Sequence, residues 1–408
     1  MAECDSTDSI LRMATSADSR LSPQLLAVLY LEFVLTGTVT TLLGPLLPVL
    51  VKRCAMSDAD AGSLVAAQFA GHFVGALFAN RNLRVSILIG MPLIAIGVSA
   101  FAFSSCTLSF LCTACYGVGL GLTISATNLI IARGQSERRA YSLTLLNFLW
   151  GVGAVSSPVL VEWAKRHQLL PSSLLGLGMA GFVLWGAMLL SGFSLSPEEE
   201  TRSSASWRSS SLWLFGTLFF LYVGVETSVG SWTALYAMRM PHLNGSIAAS
   251  AVGCFWLALL SGRLINAALL RRIPEHAIYA VSLAIMLAGF SLFLLSHSSR
   301  QVLIGASVTG LGLAPLFPLI LTFASPVLLG CRNSGWVFSG AGLGGALVPW
   351  LTGQVSTHFG SLRTAFIVPA SAAALIVALS LSPLLRGTRS GRPPSPLPGE
   401  RQDGTGVQ

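Results

Sequence analysis

The chain has 408 residues, of which 53% are hydrophobic and 10% charged, against roughly 25% charged in an ordinary soluble domain. With 24 basic and 16 acidic side chains it cannot clothe a soluble surface, and a mean hydropathy of +0.72 points to lipid as its main solvent. A secreted disulfide scaffold, a disordered chain and a soluble enzyme are excluded, which leaves a polytopic membrane protein.

A helix crossing roughly 30 Å of hydrocarbon needs about 20 mostly apolar residues. In chain order such runs cover residues 24–51, 62–79, 85–105, 108–131, 141–163 and 171–193. After a polar gap they resume at 212–237, 247–270, 277–296, 302–324, 335–354 and 364–385. The expectation is an all-α membrane protein of twelve helices in two six-helix bundles, over residues 24–193 and 212–386. Residues 1–23 and 387–408 read as tails, the first without the basic start and cleavage site of a signal peptide, the second as disordered. The Ser-rich stretch 194–211 reads as a flexible tether.

Seventeen of the 24 basic residues fall on the side of the termini and seven on the other. Because cytoplasmic loops collect Lys and Arg, both termini are expected in the cytoplasm and the protein in the cell membrane. The net charge of +8 then follows from topology and implies no nucleic-acid partner.

An internal repeat is visible. Gly119 and Gly121 precede Gly310 and Gly312 by 191 residues, and Gly151, Gly153 and Pro158 precede Gly342, Gly344 and Pro349 by the same offset. Duplicated halves account for this, and small residues so spaced let helix backbones approach closely. Pro45 and Pro48 in the first span, and Pro315 and Pro318 in the tenth, predict kinks.

Among the charged side chains, only Glu32 and Glu226 lie well inside spans. A carboxylate at the bilayer centre costs about 2.5–3.5 kcal/mol on insertion scales, so both are candidates for ion coupling. The alternative is a carboxyl that hydrogen-bonds a neighbouring helix and does nothing else. Gln68, His72, Asn128 and Asn147 sit on polar faces of spans two, four and five, where their donors suit a polyhydroxylated solute. Trp150, Tyr222 and Trp256 offer rings for stacking on a sugar. For each of these an interhelical hydrogen bond or plain packing stands beside the binding reading. Cys112, Cys115 and Cys254, within spans, read as small apolar residues. No Walker sequence and no nucleophile–base set occur, so neither ATP-driven transport nor enzymatic activity is expected.

Twelve spans in two halves with a central tether resemble the major facilitator superfamily. Within it, the stretch from Phe219 to Trp232, with Tyr222-Val223-Gly224-Val225-Glu226, is similar to the YVGxE…W pattern of the fucose–galactose–glucose:proton symporter family. Gly44-Pro45 with Pro48, Asn128, Trp150-Gly151 with Gly153 and Pro158, Trp256 with Gly262-Arg263, and Gly344-Gly345 with Pro349-Trp350 complete the resemblance. It implies proton- or sodium-coupled symport of a monosaccharide by alternating access, with no cofactor beyond the coupling ion, in a chain expected to act as a monomer. An exporter of an amphipathic small molecule or lipid is the competing expectation. The superfamily's loop between helices two and three usually reads GxLaDRxGRR. Here Asn80 stands at the acid's place while Arg81 and Arg84 remain, and with Arg263 they are the expected gating residues. By position, near the cytoplasmic end of helix eight, Arg263 reads as snorkelling to the interface.

Overall fold

A computed structural model describes residues 21–79, 81–134, 139–191, 210–240, 245–329 and 334–381, and the structural statements below concern these. The tails and almost all of the tether expected at 194–211 lie outside them. Twelve helices follow one another: α1 (Pro23–Cys54), α2 (Asp58–Ala79), α3 (Leu83–Phe101), α4 (Leu108–Gly134), α5 (Arg139–Arg166) and α6 (Leu170–Leu190), then α7 (Ser210–Met238), α8 (Gly245–Leu269), α9 (Glu275–Leu294), α10 (Ser299–Leu313, resuming as Leu316–Leu329), α11 (Ser334–Phe359) and α12 (Leu362–Ser380). In hydrocarbon every backbone polar group must be satisfied within the chain, which is why apolar stretches of this length become helices. Starts are marked by side-chain caps: Ser22 Oγ accepts from Leu25 N with Pro23 at the first position, and Ser298 and Gln301 form a capping box for α10.

An even number of crossings puts the first and last described residues on one face, here the terminal face. The ends of α1, α7 and α11 lie on the other. Two spans are broken where the prolines predict it. α1 interrupts at Thr41 and Leu42, just before Gly44-Pro45, and α10 interrupts at Ala314 and Pro315. At the α1 break the Gln68 amide donates to the Thr40 carbonyl at 2.8 Å.

The duplication is legible in packing. A Cβ on Gly151 would strike Leu260 of α8, and one on Gly342 would meet Phe73 of α2, matched contacts across the two halves. Gly153 abuts the Val34 carbonyl of α1, and Gly344 abuts the Phe220 carbonyl of α7. The offset of 191 thus holds for α5 and α11. For α4 and α10 the register differs by two. Gly117 and Gly310 press on the Gln68 and Phe255 carbonyls, and Gly119 and Gly312 press on α3 and α9. The equivalent pairs are therefore Gly117 with Gly310 and Gly119 with Gly312, because a glycine's role is set by the helix it lets approach.

Helix ends also extend beyond the apolar runs. α2 begins at Asp58 rather than residue 62, and α11 runs to Phe359 rather than 354. These polar turns project past the stretch that hydropathy detects.

Candidate functional site

The halves meet along α2 with α11, α5 with α8, and the second segment of α1 with α7. At the last contact Gly44 leaves no room for a Cβ against the Gly230 carbonyl. On its face toward α8 and α10, α7 carries Tyr222, Glu226 and Gly230, four residues apart. The Tyr222 hydroxyl donates to Glu226 Oε1 at 3.2 Å, and Arg263 Nη2 of α8 stands 3.5 Å from the same oxygen. Seven residues earlier on α8, the Trp256 ring edge occupies the notch left by Gly230, where a Cβ would lie 2.7 Å from it. Trp150 of α5 meets Trp256 edge to face at 5.8 Å, and Phe317 of α10 lies 5.4 Å from Tyr222. The structure therefore brings together Trp150, Tyr222, Glu226, Trp256 and Arg263. Arg263 does not snorkel outward. Its guanidinium turns to the one carboxylate on the facing helix, since a buried charge left alone costs far more than a paired one.

Glu32 has a different setting. It is fully buried in α1, receives one hydrogen bond from Thr127 of α4 at 3.0 Å, and its Oε1 has no partner. It forms no ion pair among the described residues. The two intramembrane acids are thus unlike: one faces a cation, the other a hydroxyl.

The remaining candidates are placed elsewhere. Gln68, 1% exposed, spends its amide on the Thr40 carbonyl and accepts from the Tyr116 hydroxyl at 3.1 Å, which makes it a clip joining α1, α2 and α4. His72 stacks on Phe69 at 6.2 Å with Nδ1 unpartnered. Asn128 and Asn147 each donate to the carbonyl four residues back, at 2.9 and 2.8 Å, and Asn147 is exposed. Arg81 lies over the Phe78 ring at 4.9 Å, and Arg84 is exposed. Asn80 lies outside the described residues.

The face opposite the termini carries a latch that the sequence reading missed. Asp58, at the first turn of α2, receives both Arg239 nitrogens at 2.6 and 2.5 Å and the Ser356 hydroxyl of α11 at 2.5 Å. Beside it, Ala59 N donates to Thr357 Oγ1 at 2.8 Å. One carboxylate thereby ties the first half to α11 and to the turn that follows α7 in the second. Four residues before Asp58, Cys54 is disulfide-bonded to Cys106 in the α3–α4 connection, and Arg53 donates to the Ser104 carbonyl at 3.2 Å. The signal was available: Cys54 and Cys106 both fall in loops on one face, as do Asp58 and Arg239. Among the described residues no cluster of three His, Cys, Asp or Glu side chains could hold a metal.

In sequence and in fold the chain is similar to known transporters. The chain is 24% identical over 405 residues to the glucose/mannose transporter GlcP of Bacillus subtilis, covering 89% of this chain and 95% of that one. It is 25% identical over 402 residues to a glucose/galactose transporter of Brucella abortus, covering 90% and 96%. It is 22% identical to the sodium-dependent glucose transporter 1 of Xenopus laevis, covering 78% and 73%. In fold it matches a bacterial homologue of the lysosomal transporter Spinster in an inward-facing conformation, with a TM-score of 0.67, 14% identity and coverage of 90% and 98%. It also matches the transporter FucP in an outward conformation, with a TM-score of 0.59, 18% identity and coverage of 89% and 98%. The family model described as Major Facilitator Superfamily matches residues 29–328. With twelve helices in two matched halves around a polar interface, the chain belongs to the Major Facilitator Superfamily and is a multi-pass membrane transporter.

Proposed function

We propose that the chain is a secondary active symporter that moves a neutral monosaccharide by alternating access, with a proton as the coupling ion. The observation that carries the reading is the charge-balanced cluster of Tyr222, Glu226 and Arg263 beside Trp150 and Trp256 at the interface of the halves. A site whose cation is already matched by a carboxylate offers polar groups without net attraction for an anion, which suits a polyhydroxylated neutral solute. Relatives that carry glucose, mannose and galactose support the same class.

Glu32 is assigned the coupling role. A carboxyl with one hydroxyl partner and no cation can be carried through the occluded state when protonated, whereas a charged one resists it. A proton is assigned as the coupling ion because a fully buried carboxyl with a single hydroxyl partner gains most from being neutralised. Glu226 serves instead as the fixed counter-charge of Arg263. The latch closes the face opposite the termini, and the disulfide on that face, with the seven-against-seventeen split of basic residues, supports placing it outside the cytoplasm.

The test is uptake of labelled D-glucose, D-galactose and D-mannose by purified protein in liposomes with an inward proton gradient. Gradient-driven accumulation that is lost in Glu32→Gln while exchange persists supports the reading. Accumulation unchanged in that variant refutes the role of Glu32, and accumulation of none of the three refutes the sugar class. A second reading, export of an amphipathic molecule, is favoured by one feature. A cavity of about 330 Å³ lies between α5 and α8, where apolar Pro158, Val159 and Trp163 sit below Glu162, Arg166 and His167.

A further inference from the structure

Two hydrogen-bond donors on α8 are buried with nothing to receive them: Trp256 Nε1 and Arg263 Nε. Trp256 is 5% exposed. Buried polar groups are almost always paired, and an orphaned one costs about 1–3 kcal/mol, so two on one helix require a reason. Both groups are donors only, and neither can accept. They are seven residues apart, about two turns and roughly 10.5 Å along the axis, and so share one face. That face is the one turned to α7, as the contacts of Trp256 with Gly230 and of Arg263 with Glu226 establish. Trp150 and Phe255 both meet the Trp256 ring at steep angles, 76° and 68°, with centroids 5.8 and 4.9 Å away. The chemistry of Trp256 left without a partner is its N–H.

We propose that the Trp256 and Arg263 N–H groups are the specificity-determining donors of the transport site, and that they select neutral solutes presenting acceptor oxygens at both ends of a hexose-sized frame. The inference rests on the monosaccharide reading and deepens it by naming which atoms read the solute. Glu226 neutralises Arg263 through Nη2, at 3.5 Å, and the Nε–H beside it has no partner, which leaves that N–H for the solute. A solute lacking the matching oxygen leaves a buried donor unpaired and is rejected for that reason.

The test measures binding of D-glucose, D-galactose and D-mannose, and of the monodeoxy analogues of whichever sugar binds, to wild-type protein, Trp256→Phe and Arg263→Lys. Trp256→Phe keeps the ring and removes only the donor. It is expected to weaken the parent sugar about three- to tenfold, while one deoxy analogue binds wild type and variant alike, since the oxygen that Trp256 reads is already gone. Arg263→Lys is expected to relax discrimination at a different hydroxyl. A uniform loss across all analogues overturns the proposal. A second measurement reads the donor directly. In indole ¹⁵N spectra of the full chain in nanodiscs, the Trp256 N–H resonance, assigned by its absence in Trp256→Phe, is expected to shift when the sugar that binds is added and to stay in place with the deoxy analogue that lacks the oxygen it reads. A resonance unmoved by a sugar that binds overturns the proposal. Binding of none of the three sugars refutes the monosaccharide reading on which the proposal rests.

Discussion

Replacing Asp58 by Asn removes the charge of the latch while keeping its shape. Three hydrogen bonds converge on this carboxylate, two of them from a guanidinium. A hydrogen bond to a charged group contributes about 1.5–3 kcal/mol when shielded, whereas an exposed ion pair contributes about 0–1 kcal/mol. Asp58 is 8% exposed and the Arg239 side chain 41%, so the pair falls between these limits. Discounted for that exposure, the loss on neutralising Asp58 is about 2 kcal/mol. Applied to a two-state equilibrium, it shifts the ratio of latched to open conformers roughly thirtyfold toward open. The assay is the distance distribution between spin labels at Ser57 and Arg300, one on each half and both on the latch face, measured by pulsed electron resonance. The expected result is a longer-distance population that grows in Asp58→Asn and again in Arg239→Gln, without additivity in the double variant, since the two residues act as one unit. An unchanged distribution in either single variant refutes the assignment of this triad as the element that holds the face shut.

The Cys54–Cys106 disulfide closes a loop of 52 residues, for which the chain-entropy account gives at most about 4 kcal/mol. Reduction, or Cys54→Ser, is expected to lower the thermal midpoint of the detergent-solubilised protein, and a midpoint insensitive to reductant would contradict the pairing. Gly153→Ala and Gly344→Ala each drive a methyl into a facing backbone carbonyl and are expected to cost about 1–3 kcal/mol. Gly176→Ala, with open space around it, is the neutral control, and equal midpoints for all three would refute the paired-glycine account. Gln68→Leu strands the Thr40 carbonyl and the Tyr116 hydroxyl, so stability is expected to fall by about 1–3 kcal/mol with solute affinity unchanged. A selective loss of affinity at full stability would return Gln68 to the binding site.

Much of the candidate site was legible from residue type alone. Glu32 and Glu226 stand out because charge inside a span is costly, while Arg263 enters only through the family resemblance of Gly262-Arg263. Their partners were not legible. That Glu226 faces Arg263 while Glu32 faces only Thr127 depends on how α1, α4, α7 and α8 are rotated about their axes, and a rotation of one residue, about 100°, would exchange these neighbours. The same holds for Trp256, whose unpartnered N–H follows from the way α8 turns it and not from its residue type.

The solvent, the twelve crossings, the duplication and the proline breaks of α1 and α10 are readable from the chain alone, because each is a local property of apolar length, spacing or a missing N–H. The latch, the disulfide and the register of the repeat emerge only in the folded arrangement. Asp58 and Arg239 are 181 residues apart, and Asp58 and Ser356 are separated by 298. Asp58, Ser356 and Thr357 lie on helix turns that extend past the apolar core, with Arg239 just beyond the end of α7, where hydropathy has no signal. Which glycine matches which was settled by the backbone it admits, since close approach is a property of two helices and is written in neither alone.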